Sequence, residues 1–210
     1  MKGTVKMQGN SMIELDLNQY IQAIAYQIPK EGNVYNGDSF FMKVTDDYFI
    51  CAVADGLGSG VHAFHSSNAI RQEVEKNHDK EVEVLIESCN QVLKNKRGAT
   101  LSILKVHFLQ KTFTYSSVGN IQFILSCPSG RFIYPLPILG YLSGKPQKYR
   151  CETFSYERGS KFIFHTDGLV IPSIKSLVSS SRSIREISNY LEINGKTGKD
   201  DLTYIVGQLL

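Results

Sequence analysis

The sequence predicts an α+β fold, a four-layer α-β-β-α sandwich in which two mainly antiparallel sheets are flanked by helices. Most segments rich in aromatic and β-branched residues are separated by short turns, and such turns join antiparallel strands. Two helical segments follow one another in the first half of the chain, and a third stands near the end. Stacked sheets with helices outside bury one face of every element. Apolar residues make up 42% of the chain, enough for a sizeable core.

The length of 210 residues predicts a single folded domain over residues 13–210. Residues 1–12 are rich in Lys, Gly, Gln, Asn and Ser and lack an apolar run or a signal cleavage site. We therefore expect a disordered leader or a cloning remnant there, with Met12 as a candidate natural start.

The first half of the domain predicts strands followed by helices. Thr45-Asp46-Asp47 has the composition of a hairpin turn between two of the strands. Apolar residues from Val82 to Leu93 recur at the spacing of one helical face. The predicted strands are Ile21–Ile28, Ser39–Val44 and Tyr48–Ala54, and the first helix covers about Val61–Asn77.

The second half predicts mainly strands joined by short turns. A helix with Ile184, Ile187 and Leu191 on one face precedes the last strand. The loop Pro135–Pro146 is unusually apolar, and it is equally compatible with a loop folded over the core and with a substrate-facing flap. The predicted strands are Ala99–Phe108, Thr112–Val118, Ile121–Ser126, Arg131–Tyr134, Tyr149–Tyr156, Lys161–Thr166 and Leu202–Leu209.

Composition excludes several classes of function. The net charge of +3 gives no electrostatic case for nucleic acid or an anionic membrane as partner. No apolar run approaches the roughly 20 residues of a membrane span. The four cysteines are scattered without a C-x-x-C pair, which favours reduced thiols and a cytoplasmic protein. None is followed six positions later by the arginine of a cysteine-dependent phosphatase loop.

Two apolar strands end in the dipeptide Asp-Gly, at Asp55-Gly56 and at Asp167-Gly168. Asp-Gly is also a common hairpin turn. Here the first dipeptide is followed by a glycine-rich loop and a helix, and the second has no obvious returning strand. The hairpin explanation is therefore the weaker one.

Further aspartates stand where strands begin, at Asp38 and at Asp200-Asp201. Because one antiparallel strand ends beside the start of its neighbour, these carboxylates are expected to gather at one edge of the sandwich with Asp55 and Asp167. Carboxylates that converge repel one another and need a counter-charge.

Ligand sets made only of oxygen suit hard cations such as Mg²⁺ or Mn²⁺. Two such ions can activate a shared water for attack on phosphorus and neutralise the phosphoryl oxygens. Gly56, which has no side chain, would let its carbonyl approach a metal closely. The pattern therefore predicts a metal-dependent hydrolase of phosphate esters.

At these residues the chain resembles the PPM (type 2C) family of metal-dependent protein phosphatases, in its short bacterial SpoIIE-type branch. The resemblance covers about Ile21 to Leu210 and consists of short stretches in family order. They are NGDSFF at Asn36–Phe41, ADGLGSG at Ala54–Gly60, RGAT at Arg97–Thr100, VGN at Val118–Asn120, LG at Leu139–Gly140, HTDGL at His165–Leu169 and KDDLTYIV at Lys199–Val206.

The resemblance implies the same sandwich fold and a phosphoserine/phosphothreonine protein phosphatase that uses two Mn²⁺ or Mg²⁺ ions. It also implies phosphorylated STAS-domain proteins of the stressosome, of the RsbS and RsbR type, as partners. Dephosphorylation would reset stress signalling after the kinase has acted.

Carried over by position, the resemblance implies a set of oxygen ligands. Asp55 would bridge both ions, and Asp167 and Asp200 would serve the first. Asp38, directly or through water, and the carbonyl of Gly56 would serve the second. Residues expected to support the ligands without touching an ion are Asp201, Asn36 and Asn120.

The chain departs from the family pattern at several positions. Gly37 stands where many members have a glutamate ligand, and Asn120 where many have the aspartate of a third metal site. Leu57 replaces a histidine often proposed as general acid, so a metal-bound water would protonate the leaving oxygen. No arginine occupies the usual phosphate-clamp position, and Lys30 is a poor substitute. These losses predict a modest rate.

The main alternative is a catalytically weak or inactive module of the same fold that binds phosphoproteins. Gly56–Gly60 also has some features of a dinucleotide-binding loop, but its third glycine comes one place early and Asp55 would repel a pyrophosphate.

Two other clusters have ordinary explanations. His62 and His65 share a helical face, where an exposed surface is favoured over a zinc pair. Lys94, Lys96 and Arg97 fit the C-terminal end of a helix, with an acidic-partner site as the second interpretation.

Overall fold

The computed structural model describes residues 4–8 and 11–210, with side chains from residue 18 onward. It contains the two antiparallel sheets and the flanking helices that the sequence predicts. In chain order the elements are β1 (Thr4–Gln8), β2 (Ser11–Leu17), β3 (Ile21–Ile28), β4 (Asp38–Val44), β5 (Tyr48–Gly56), α1 (Val61–Asn77), α2 (Val82–Val92), β6 (Ala99–His107), β7 (Thr112–Val118), β8 (Gln122–Ser126), β9 (Phe132–Ile133), β10 (Cys151–Ser155), β11 (Lys161–His165), α3 (Ile174–Ser180), α4 (Ile184–Asn194) and β12 (Leu202–Leu209).

The larger sheet has the strand order β1-β2-β3-β12-β11-β8-β9, and the smaller sheet has the order β10-β7-β6-β5-β4. Every strand pair in both sheets is antiparallel. The predicted hairpin between β4 and β5 is confirmed, because Val44 pairs with Phe49 and the Thr45 hydroxyl donates to the carbonyl of Tyr48 at 2.9 Å.

The alternation of apolar side chains explains the four layers. In β5, Phe49 and Cys51 point into the core between the sheets, whereas Ile50 and Ala52 pack towards α1 and α2. The larger sheet packs its other face on α3 and α4 through residues such as Tyr204. Successive strand residues face opposite ways, so central strands such as β5 and β12 are buried on both faces.

Aromatic rings dominate the core between the sheets. The rings of Phe123 and Phe164 lie 4.8 Å apart, and Tyr115 stacks on Phe123 at 5.2 Å. Phe162 lies 6.1 Å from both Phe49 and Phe123. Tilted and offset rings at these distances add to the stabilisation from buried area.

The structure differs from the sequence-based expectation at two places. Thr4–Gln8 and Ser11–Leu17 pair with each other as strands, so the part of the expected leader that is described belongs to the larger sheet. Helix α3 was not predicted, because it has only seven residues, is rich in serine and buries only Val178. No helix among the described residues is long and apolar enough to cross a membrane.

Candidate active site

The predicted aspartates meet at one edge of the sandwich. Asp38, the first residue of β4, lies directly opposite Asp55 on β5. Asp167 follows the end of β11, and Asp200 and Asp201 precede the start of β12, which pairs with β11. Hydrogen bonds from Thr166 to Asp38 and from Gly37 to Asp201 join the ends of the two sheets on the same side of the molecule. Asp55 accordingly interacts electrostatically with all three of these later aspartates.

Asp38 is fixed by contacts from the opposite sheet. The Thr166 hydroxyl donates to Oδ2 of Asp38 at 2.8 Å and accepts from the amide of Thr203 at 3.0 Å. The Gln27 side chain donates to the carbonyl of Asp38 at 3.0 Å, and the Asn36 side chain accepts from its amide at 2.9 Å. Asp38 is only 3% exposed, so its carboxylate is held in place before any ligand binds.

Asp201 organises the loop that leads into β4. Its two carboxylate oxygens accept hydrogen bonds from the amides of Lys30 and Gly37, each at 2.9 Å. A Cβ atom on residue 37 would lie 2.7 Å from Oδ2 of Asp201. Gly37 and Asp201 are thus matched, and a larger residue at position 37 would displace the carboxylate.

Gly56 is required by packing. A Cβ atom there would lie 2.0 Å from the carbonyl oxygen of Ala63 in α1, which no local adjustment can accommodate. The amide of Gly56 donates to the carbonyl of Gly37 at 3.1 Å. The close contact with α1 is thus a second reason for glycine at this position, independent of the approach of a metal ion to its carbonyl.

The carboxylates at this edge lack a counter-charge. Burial, followed by the charges of Asp167, Asp200 and Asp201, raises the pKa of Asp55 to about 7. Burial and the neighbouring Asp55 also raise the pKa of Asp38 well above its ordinary value. In the described part of the chain no lysine or arginine forms an ion pair with any of these aspartates. Such a cluster stabilises a bound cation.

Asp167 and Asp200 lie on the exposed side of the cluster. The amide of Asn120 donates to Oδ2 of Asp167 at 2.8 Å, and Oδ1 of Asp200 accepts from the amide of Asp201 at 2.9 Å. Asn120, Asn36 and Asp201 therefore contact the predicted ligand residues or their backbone, as supporting residues would.

The donor set fits hard divalent cations. Across residues 4–8 and 11–210, no three Asp, Glu, His or Cys side chains converge closely enough to hold a metal ion by themselves. Mg²⁺ usually keeps several waters and takes only one or two carboxylates, so a complete protein cage is not needed. Oxygen donors with raised pKa values at Asp38 and Asp55 match that chemistry.

Sequence reasoning missed three polar residues around the cluster. Thr166 and Gln27 bind Asp38, and Thr100 lies opposite Asp55 with a buried hydroxyl that has no partner among the described residues. Thr100 and Thr166 lie inside the motifs RGAT and HTDGL, which are the signals that point to them.

The remaining candidates are surface features. His62 and His65 are exposed on α1. Helix α2 ends at Val92 with Leu93 as its C-cap and no basic residue in its last turn. The helix-end explanation is therefore wrong for Lys96 and Arg97, which lie four and five positions beyond Val92, whereas Lys94 directly follows the cap.

The loop Pro135–Pro146 combines both interpretations. Leu142 is buried and pairs with Ala99, and the side chain of Asn90 accepts from the amides of Ser143 and Gly144. By contrast, Leu136, Leu139 and Tyr141 are exposed. The loop is therefore anchored on the core and presents apolar side chains to its surroundings.

Comparisons with known proteins agree with this geometry. The family model described as "Stage II sporulation protein E (SpoIIE)" matches residues 45–176. The phosphoserine phosphatase RsbX of Bacillus subtilis (strain 168) is 59% identical over 198 residues, which cover 94% of this chain and 100% of that protein.

Solved structures show the same architecture. A crystal structure of RsbX in complex with magnesium has a TM-score of 0.92 and 58% identity, covering 95% of this chain and 100% of the other. The phosphatase-domain structure of SpoIIE from Bacillus subtilis has a TM-score of 0.75 at 17% identity and covers 99% of this chain and 69% of the other. The latter likeness concerns the fold alone.

Proposed function

This chain belongs to the SpoIIE family of PPM-type phosphatases, and from that premise we propose that it removes phosphate from serine or threonine residues of a partner protein. The observation that carries the proposal is the meeting of Asp38, Asp55, Asp167 and Asp200 at one edge, where two of them have raised pKa values. A chain 59% identical to a phosphoserine phosphatase supports the same activity.

The proposed metal ligands are the four aspartates and the carbonyl of Gly56. Asp55 would contact two Mg²⁺ or Mn²⁺ ions, Asp167 and Asp200 the first, and Asp38 and the carbonyl of Gly56 the second. When bound, these ions would supply Lewis-acid stabilisation of the phosphoryl charge and a nucleophile from water near neutral pH. The magnesium complex of RsbX supports the use of a divalent cation.

Three further residues hold the proposed ligands and their backbone in position through hydrogen bonds. Thr166 orients the carboxylate of Asp38, Asp201 holds the backbone of Gly37, and Asn120 orients Asp167. These hydrogen bonds hold Asp38, Asp167 and the backbone just before Asp38 in place, so little reorganisation is needed when substrate arrives.

We propose phosphorylated STAS-domain proteins of the stressosome, of the RsbS and RsbR type, as substrates in the cytoplasm. Support comes from the likeness to RsbX over nearly the whole chain. The exposed apolar residues of the loop Pro135–Pro146 lie beside the site. The backbone of Ile138 forms hydrogen bonds with Ser117 and Gly119 at the end of β7, which leads to Asn120. They offer a surface that a folded protein substrate would contact.

A phosphoprotein-binding module without turnover is the second candidate. Gly37 and Leu57 favour it, since neither offers a metal ligand or a proton donor at its position.

The test is dephosphorylation of a phosphorylated STAS-domain protein with and without Mg²⁺ or Mn²⁺. Asp55→Asn is expected to reduce the rate at least about 1000-fold, since it removes charge that would hold both ions. Asp46→Asn, an exposed aspartate at the opposite end of the same hairpin, should leave the rate unchanged. Binding of the phosphoprotein without turnover by the unaltered protein would instead support the module.

A further inference from the structure

The aspartate edge needs a positive group to receive a phosphate ester. The proposed substrate carries negative charge, and it must approach the edge where Asp38, Asp55, Asp167 and Asp200 meet. Two divalent ions offset the charge of the four carboxylates but not that of the phosphate as well. A guanidinium group is well suited to supply the rest, because its planar fork matches phosphate oxygens in pairs.

Arg97 is placed to do this. It stands just before β6, where Ala99 pairs with Gly56, and the carbonyl of Gly98 accepts from the amide of Leu57 at 3.0 Å. Its side chain turns towards the loop that follows Asp55. Nη1 of Arg97 lies 2.8 Å from the position that a Cβ atom on Gly58 would occupy.

Gly58 makes room for the guanidinium. Its φ of +91° favours glycine, and the absence of a side chain lets Nη1 of Arg97 approach the backbone there. The guanidinium group of Arg97 therefore lies against the loop that immediately follows the Asp55-Gly56 dipeptide.

Among the described residues, Arg97 has no partner that would give it a structural role. It is exposed and, among the described residues, forms no ion pair and no side-chain hydrogen bond. Arg71 and Arg150, by contrast, pair with Glu75 at 2.8 Å and with Glu152 at 3.0 Å. The α2 helix ends five positions earlier, beyond the last-turn range of its dipole.

We propose that Arg97 binds the phosphoryl oxygens of the substrate and positions the phosphate over the aspartate cluster. This rests on the function proposed above. It replaces the phosphate-clamp arginine that the sequence lacks at the family's usual position with one from the loop before β6. Arg97 acts through paired N–H donors, so lysine, a point charge, would serve only in part.

The test compares Arg97→Gln, Arg97→Lys and Lys96→Gln in the presence of Mg²⁺. Arg97→Gln should lower kcat/KM on the phosphoprotein about 10- to 100-fold, as expected for a lost charge-assisted hydrogen bond. The inhibition constant of inorganic phosphate should rise by a similar factor, and Arg97→Lys should fall between. Lys96→Gln removes an exposed neighbouring charge and should match the unaltered protein.

A second readout separates positioning from folding. The shift in melting temperature that Mg²⁺ causes without phosphate should be the same in Arg97→Gln as in the unaltered protein. Loss of that shift would mean a structural role and overturn the inference, as would an unchanged inhibition constant for phosphate. An unaltered protein without turnover overturns the proposed function instead, and phosphate binding measured by thermal shift still decides the role of Arg97.

Discussion

The interior and the aspartate edge are built from the same strands, yet they have opposite energetics. Between the sheets, strands β5 and β11 contribute Phe49, Phe162 and Phe164, all fully buried. At the edge, β5 contributes Asp55 and the turn after β11 contributes Asp167, and their charges repel. The buried aromatic residues thus stabilise the protein only a few positions away from carboxylates that destabilise it. This is expected where charged ligand residues are kept for function.

The largest expected effect lies in the interior. Phe162→Ala should lower the free energy of unfolding by about 3–5 kcal/mol, because a fully buried ring is replaced by a cavity. Denaturant unfolding measures the change. Ile193→Ala, which truncates a side chain that is 81% exposed on α4, is the control and should change stability by less than about 0.5 kcal/mol. Similar costs for both variants would contradict the contrast between interior and surface.

The aspartate edge, unlike the interior, should make the metal-free protein less stable as the pH rises. The pKa of Asp55 is about 7 in the folded protein, against 3.8 for an unperturbed aspartate side chain. The folded state therefore binds more protons between these values, and without metal its stability falls as pH rises from about 4 to 7. This contribution amounts to at most about 4 kcal/mol.

Melting temperature against pH, in a chelator, measures that slope. Asp55→Asn should flatten it, whereas Asp46→Asn, which alters an exposed carboxylate far from the cluster, should not. Added Mg²⁺ should stabilise the protein more at pH 8 than at pH 5, where protons compete for the carboxylates. A metal-free protein that gains stability across this pH range would show that the cluster is not repulsive.

Local patterns in the sequence were sufficient for the sandwich. Apolar strands such as β5 and short turns such as Thr45-Asp46-Asp47 have a signature in adjacent residues of the chain, so the sheets and three of the helices were predictable. Helix α3 was not, because seven serine-rich residues carry too weak a periodicity. Thr4–Gln8 was assigned to a leader by composition, whereas its pairing with β2 depends on a neighbouring strand.

The site, like the fold, was predictable where it depends on local sequence patterns. Strand-end aspartates have a local signature, and Asp38 and Asp55 do lie opposite each other. Contacts between residues that are distant in the chain have no local signature. Examples are the contact of Thr166 with Asp38 across 128 positions and that of Arg97 with Gly58. These depend on how the two sheets are stacked, which composition and spacing do not determine.

The smallest expected effect lies where the two regions meet. Thr166 is 1% exposed and joins the sheets, since its hydroxyl donates to Asp38 and accepts from the amide of Thr203. Thr166→Val keeps the shape but leaves a buried carboxylate and a buried amide without this partner, so it should destabilise the protein by about 1–3 kcal/mol. It should also slow dephosphorylation, because Asp38 loses its orientation. Thr166→Ser retains the hydroxyl and should recover most of both losses in denaturant unfolding and phosphatase assays. If valine is tolerated in both assays, the hydroxyl does not connect the stable interior to the site, and Asp38 is oriented by its other partners, which are Gln27 and Asn36 at its backbone and the Thr203 side chain.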